Sequence, residues 1–174
     1  MTWSLLTETV VLALEKQKEI SRAEKPFNTD ELEWFSRNSY NLALKNTTKW
    51  DLRYVVRMLT ACVCIISYFP PDLASQPDIS LKDLFARFVI SSALISLART
   101  QDNIEKQHRD YGKTRVHVRA FDRELSEQLS HFDEASQHDL LRKHATLLSF
   151  DFEASRSAGR VGGPWGNRAA RRAV

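Results

Sequence analysis

From Thr29 to about Lys45 the apolar positions do not form a single stripe. Leu32, Phe35, Tyr40, Leu42, Ala43 and Leu44 spread over well more than half of a helix circumference and leave Glu33, Arg37 and Asn41 for solvent. An arc that wide predicts a helix covered from two sides, as in the interior of a layered helical array. Ser36, Ser39 and Ala43 fall in the middle of the arc, where short side chains let a neighbouring helix approach closely. Asp30 and Glu33 give an acidic first turn and the expected cap, and Asn46-Thr47-Thr48 breaks the helix.

The remaining periodicity is also helical. Ser4 to Ala23 reads as an amphipathic helix, with Leu5, Leu6, Val10, Val11, Leu14 and Ile20 on one side and a stop at Pro26. Trp50 to Phe69 is apolar apart from a polar stripe at Arg53, Arg57, Thr60 and Ser67, and Pro70-Pro71 ends it. Asp72 to Ile79 reads as a loop. Ser80 with Asp83 forms a capping-box pattern for a helix from Leu81 to about Arg99, whose second half is apolar right round the axis. From Asp102 to Phe121 the apolar set shrinks to Ile104, Tyr111, Val118 and Phe121 on a charged helix, the pattern of an outer layer, with a kink or break expected at Gly112. Weaker helical runs follow from Glu124 to Phe132 and from Glu134 to Phe152. No stretch reads as a strand.

The predicted class is therefore all-α: an antiparallel helix-hairpin array, with wide inner arcs that favour a degenerate tetratricopeptide-like solenoid over a simple bundle. A strict tetratricopeptide pattern cannot be laid on the chain, because the positions after Trp34 that need to be small and aromatic are Asn38 and Asn41. With 174 residues one domain is expected, over residues 1–153. Residues 154–174, rich in Arg, Gly and Ala and without periodicity, read as a disordered tail.

Charge sharpens that division. The tail carries Arg156, Arg160, Arg168, Arg171 and Arg172 and no acid, while the rest of the chain has 20 basic against 22 acidic residues. Basicity belongs to the tail. Cys62 and Cys64 lie two apart on a helix, which points them to different faces, excludes a mutual disulfide and predicts reduced core thiols in an intracellular protein. The start of the chain shows no basic leader ahead of an apolar run, so no signal peptide is expected. Tyr54 to Phe69, interrupted by Arg57, is shorter than the roughly 20 residues of a membrane span and reads as a buried helix.

Candidate chemistry is sparse. His108, His117, His131, His138 and His144 include no pair at four-residue spacing and read as surface residues, so neither metal nor cofactor is expected. Gly162-Gly163-Pro164 follows no strand and is no phosphate loop. An enzyme is not predicted. Lys106, Arg109 and Lys113 make a basic edge that, with the arginine tail, is a candidate nucleic-acid contact, although Asp102, Glu105 and Asp110 interleave with it and favour a solvated charged face. Trp34 and Asn38, with Asn41 one turn on, mark a candidate protein-interaction flank. The competing reading is a groove-filling Trp beside an Asn bonded to a neighbouring turn.

The strings Glu31-Leu32-Glu33-Trp34-Phe35-Ser36-Arg37-Asn38-Ser39-Tyr40-Asn41-Leu42-Ala43 and Leu97-Ala98-Arg99-Thr100-Gln101-Asp102-Asn103-Ile104-Glu105-Lys106-Gln107, with Tyr111, resemble the fungal branch of the Zip-four/Spo-twenty-two meiosis proteins. The resemblance runs from about Asp30 to Phe121. It implies a noncatalytic, tetratricopeptide-like scaffold of the meiotic nucleus that is chromosome-associated and binds other meiotic proteins or further helical repeats, coupling crossover recombination to synaptonemal complex assembly. Members of that family are several times longer, so it also implies a fragment or truncated member. The alternative expectation is a small helical nucleic-acid-binding module using the basic outer helix and the tail.

Overall fold

Asn28, rather than Asp30, caps the start of α1 (Thr29–Lys45). Its side-chain oxygen accepts from the Glu31 backbone N–H at 2.9 Å, and the Glu31 carboxylate accepts from the Asn28 N–H at 2.9 Å. This reciprocal pair satisfies two donors that a bare helix start would leave open, which is why the cap falls at Asn28 and not at Asp30 two residues on. The computed structural model describes residues 27–161, together with Thr9 and Leu12 ahead of them. The helix predicted from Ser4 to Ala23 and its stop at Pro26 fall almost wholly outside the described residues, as do residues 162–174 of the tail.

A short link leads to α2 (Leu52–Ile66), capped by Asp51, whose carboxylate accepts from the Arg53 N–H at 2.7 Å. The interval expected to be a loop is mostly helical: α3 (Pro71–Ala74) is followed at once by α4 (Pro77–Arg99). Both helices carry proline in their first turn, where the missing N–H would have no partner in any case. Ser80 and Asp83 are thus not a cap. They lie inside α4, buried; the Ser80 hydroxyl donates to the Ala74 carbonyl at 3.2 Å and ties α3 down. Asn103 caps α5 (Ile104–Gln128), which runs through Gly112 without a break. A 3₁₀ turn (Leu129–His131) then leads to α6 (Glu134–Val161). The described residues form helices and turns only, and the fold is all-α.

Contacts fix the directions. Leu32 near the start of α1 lies with Ile65 and Ile66 at the end of α2, whereas Ala43 near its end lies with Val55 and Leu59. The two helices are antiparallel. The same reading pairs Ile79 with Ile66 and Leu94 with Val55 for α2 and α4, and Leu84 with Leu125 and Ala98 with Tyr111 for α4 and α5. Leu84 also meets Leu140, and Ala98 meets Ala154, so α6 runs alongside α4 in the same direction. α4 therefore touches α2, α5 and α6, as its all-round apolar pattern requires.

For α1 the outcome is mixed. Leu32, Ser36, Ser39 and Ala43 are its buried line, so the small residues do mark the line of close approach, and the Cys62 thiol donates to the Ser36 carbonyl at 3.3 Å. The two-sided cover is not seen among the described residues: α1 rests chiefly on α2, and Phe35, Tyr40, Leu42 and Leu44 are only half-buried. At the other end α6 continues past the expected edge at Glu153, with Ala154 in the core beside Ile95 and Tyr111. Ala, Ser and Arg tolerate a helix well enough to extend one that is already packed.

Candidate interaction surfaces

Three surfaces gather the residues with binding chemistry. On α1 the four- and three-residue steps between Trp34, Asn38 and Asn41 set them on one flank. Trp34 is 41% exposed and meets Phe35 edge-on, with ring centroids 5.1 Å apart. The Asn38 amide donates to the Trp34 carbonyl at 2.7 Å, so its polar group is engaged within its own helix, and Asn41 is exposed. The structure keeps this trio together as a half-open flank.

The second surface is the outer side of α5. Lys106, Arg109 and Lys113 are all exposed on one side of the helix. Asp110, the acid that interrupts them in sequence, is turned inward: its carboxylate is buried and lies 3.7 Å from the Arg53 guanidinium of α2. Arg119 and Arg123 are exposed farther along, and neither is part of the basic edge expected from sequence. The exposed positions from Lys106 to Arg119 are Lys106, Arg109, Gly112, Lys113, Val116 and Arg119, a row about 20 Å long without a carboxylate. Counting three-residue and four-residue steps on from Lys113 would have found Arg119 and Arg123; the intervening Val116 and Ala120 interrupt the sequence signal. Glu105 remains exposed at the start of the row.

Behind that row, α4 and α5 enclose a polar seam. Arg87 donates to the Asp83 carboxylate, yet burial still holds Asp83 above the usual carboxylate range. Glu124 is raised for the same first reason. His117, expected on the surface, is half-buried, and burial with Arg87 and Lys113 nearby pushes its imidazole down to about 4. It is neutral at physiological pH. The Cys62 thiol is pushed up to about 12 by burial, and both cysteines are free.

The third surface does not stand out in the sequence as a site. On α6, Leu140, Leu147 and Ala154 face the core, while Leu141, Leu148 and Phe152 are 48%, 53% and 65% exposed. The helix has two apolar faces, turned about 100° apart. Leu141 and Leu148 each directly follow a core leucine, which makes them look like part of one broad buried arc. That likeness to an ordinary wide stripe is why the sequence does not separate them.

Among the described residues no group of three His, Cys, Asp or Glu side chains is placed to hold a metal ion, and no helix is long and apolar enough to cross a membrane. No family model, curated protein or solved structure matches the chain.

Proposed function

We propose that the chain is a noncatalytic protein-interaction scaffold, a stretch of degenerate tetratricopeptide-like helix hairpins akin to the Zip-four/Spo-twenty-two proteins. On this reading it works in the meiotic nucleus on chromosomes, and its partners are other meiotic proteins or further helical repeats. The observation that carries the scaffold reading is the second apolar face of α6. Every helix from α2 to α6 has its main apolar face against a neighbour, and α6 in addition leaves Leu141, Leu148 and Phe152 open along a second face. Exposed apolar rows of that kind mark surfaces made to be covered. The full chain is expected to bind an environment-sensitive hydrophobic dye in its folded state, and Leu148→Glu is expected to weaken that binding. A folded chain that takes up no dye would sink the reading.

One observation favours a second reading, the nucleic-acid-binding module. With Asp110 turned inward, the row from Lys106 to Arg119 presents four cations to solvent without an intervening exposed acid. Such a row attracts phosphates without reading bases. Binding to duplex DNA should then weaken with salt, and Lys113→Glu with Arg119→Glu should lower the log–log salt slope by about one per lost phosphate contact. Affinity for DNA that is weak even at low salt would remove this reading. Deleting residues 162–174 separates the contribution of Arg168, Arg171 and Arg172 from that of α5.

A further inference from the structure

We infer, on the footing of the scaffold reading, that the outer face of α6 receives a single amphipathic helix whose apolar seam is bordered by carboxylates. Leu141, Ala145, Leu148 and Phe152 are all exposed or half-exposed and follow one another at steps of four, three and four residues. That is the alternating spacing of a coiled-coil seam, extending about 16 Å along the axis. It is matched by a second helix with the same 3.5-residue repeat.

The borders of the seam choose the partner. On one side stand Arg142, Ser149 and Arg156, seven residues apart. On the other, Asp151 accepts from Arg115 Nε at 2.9 Å, and the half-buried His144 has its Nε2 3.0 Å from Asp122 of α5 without a hydrogen bond to it. The charges that border the seam and lack a partner on α5 are therefore Arg142 and Arg156, both positive. The Arg156 guanidinium also stands 5.8 Å from the centre of the Phe152 ring, beside the seam. A helix laid on this face brings its own bordering residues against Arg142 and Arg156, where acids are attracted and bases repelled. A second copy of the chain fits poorly. An antiparallel copy sets one arginine border against another, and a parallel copy sets it against the border already bound to α5.

The test uses the full chain and two synthetic helical peptides with the same leucine seam, one bordered by Glu and one by Lys, read by fluorescence anisotropy. The Glu peptide is expected to bind about tenfold tighter. Arg142→Glu with Arg156→Glu should reverse the preference while leaving the thermal melt in place, and Leu148→Glu should abolish binding of both peptides. Equal affinity for the two peptides, or Glu-peptide binding that survives Leu148→Glu, overturns the inference. So does a dimer that Leu148→Glu dissociates without any peptide binding, which would give the face to a second copy. Peptide binding that appears only after deletion of residues 162–174 would give the face to the chain's own tail, and it overturns the inference as well. Dye binding by a chain that shows no peptide preference sinks this inference and leaves the scaffold reading standing; absence of dye binding sinks the scaffold reading itself.

Discussion

The junction between α1 and α2 and the junction between α5 and α6 are closed by different means. At the first, Ser36, Ser39 and Ala43 line the contact. Each serine hydroxyl is satisfied by its own helix, Ser36 at the Glu33 carbonyl (3.0 Å) and Ser39 at the Phe35 carbonyl (2.6 Å), so the helices approach without a stranded polar group. At the second, the apolar stripe of α5 narrows to Tyr111, Val118, Phe121 and Leu125, and polar pairs flank it. Arg115 reaches Asp151, and the Tyr111 hydroxyl donates to Glu153 at 3.0 Å. Small side chains let burial close an interface with one weak bond across it, from the Cys62 thiol to the Ser36 carbonyl. Where the stripe is narrow, directed polar bonds fix the register, and they add little net stability because most of them are part-exposed.

That division of labour fails first if the polar pairs, rather than the carbon beneath them, hold the C-terminal half together. Phe121 has no exposed surface and joins Leu84, Leu125, Leu140 and Leu147. Phe121→Ala should cost about 3–5 kcal/mol in urea unfolding. A loss under about 1 kcal/mol would mean that the interface does not depend on its apolar strip.

Acid should expose the contrast next. His117 has its folded pKa near 4, below the ordinary 6.5 of a free imidazole. Since protonation is harder in the folded state, stability falls as pH drops below 6.5, and the loss is complete below about pH 4, at roughly 3 kcal/mol. Asp83 and Glu124, both raised, act in the opposite sense and gain stability as they protonate, which offsets the loss at the acid end of that window. The α4–α5 seam should therefore loosen between pH 6.5 and 4 while the α1–α2 contact does not. Hydrogen exchange resolved along the chain checks this, and His117→Gln should flatten the profile over that range.

For the N-terminal junction, Ser36→Leu adds a branched side chain where the backbones are close and should cost about 1–3 kcal/mol through overpacking. Neutral or improved stability would show that α1 and α2 are not held apart by side-chain size at that point.

The same contrast explains what the sequence makes legible. Burial patterns that repeat with the helix are readable from it: the end of α1 at Lys45, the polar stripe of α2 with Arg53, Arg57, Thr60 and Ser67 exposed, the all-round burial of α4 and the thin stripe of α5. Features decided by a single competing contact are not. Asn28 takes the cap because Glu31 answers it, Pro77 starts α4 although proline alone reads as a loop former, Ser80 finds a partner that exists only once α3 is in place, and Asp83 pairs with Arg87 one turn along its own helix. Gly112 leaves α5 unbroken because its flanking turns are packed, and a Cβ added there would meet nothing within 4 Å. Ile104, counted with the inward stripe, is 60% exposed because it sits in the first turn, ahead of the point where α5 meets its neighbours. Among the candidate binding residues the alternation of charge along α5 hides a segregation that only the helix turn reveals, with Asp110 inside and Arg119 outside.

The smallest expected effect tests the polar side of the comparison directly. Arg99 grips Glu153 with two guanidinium nitrogens, at 3.0 and 2.6 Å, and that contact holds the Glu153 carboxyl below its usual range. Yet the Arg99 side chain is 54% exposed and that of Glu153 32%, so water screens the pair and a double-mutant cycle should return a coupling of only about 0.2–1 kcal/mol. The two single substitutions should not be equal. Arg99→Ala leaves the Tyr111 hydroxyl its acceptor, whereas Glu153→Ala strands a phenol that is 8% exposed, so it should cost more; Glu153→Gln, which keeps an acceptor oxygen, should recover most of the difference. A coupling well above about 1 kcal/mol, or Arg99→Ala costing as much as Phe121→Ala, would show that the ion pairs carry the C-terminal half and would reverse the contrast between the two junctions.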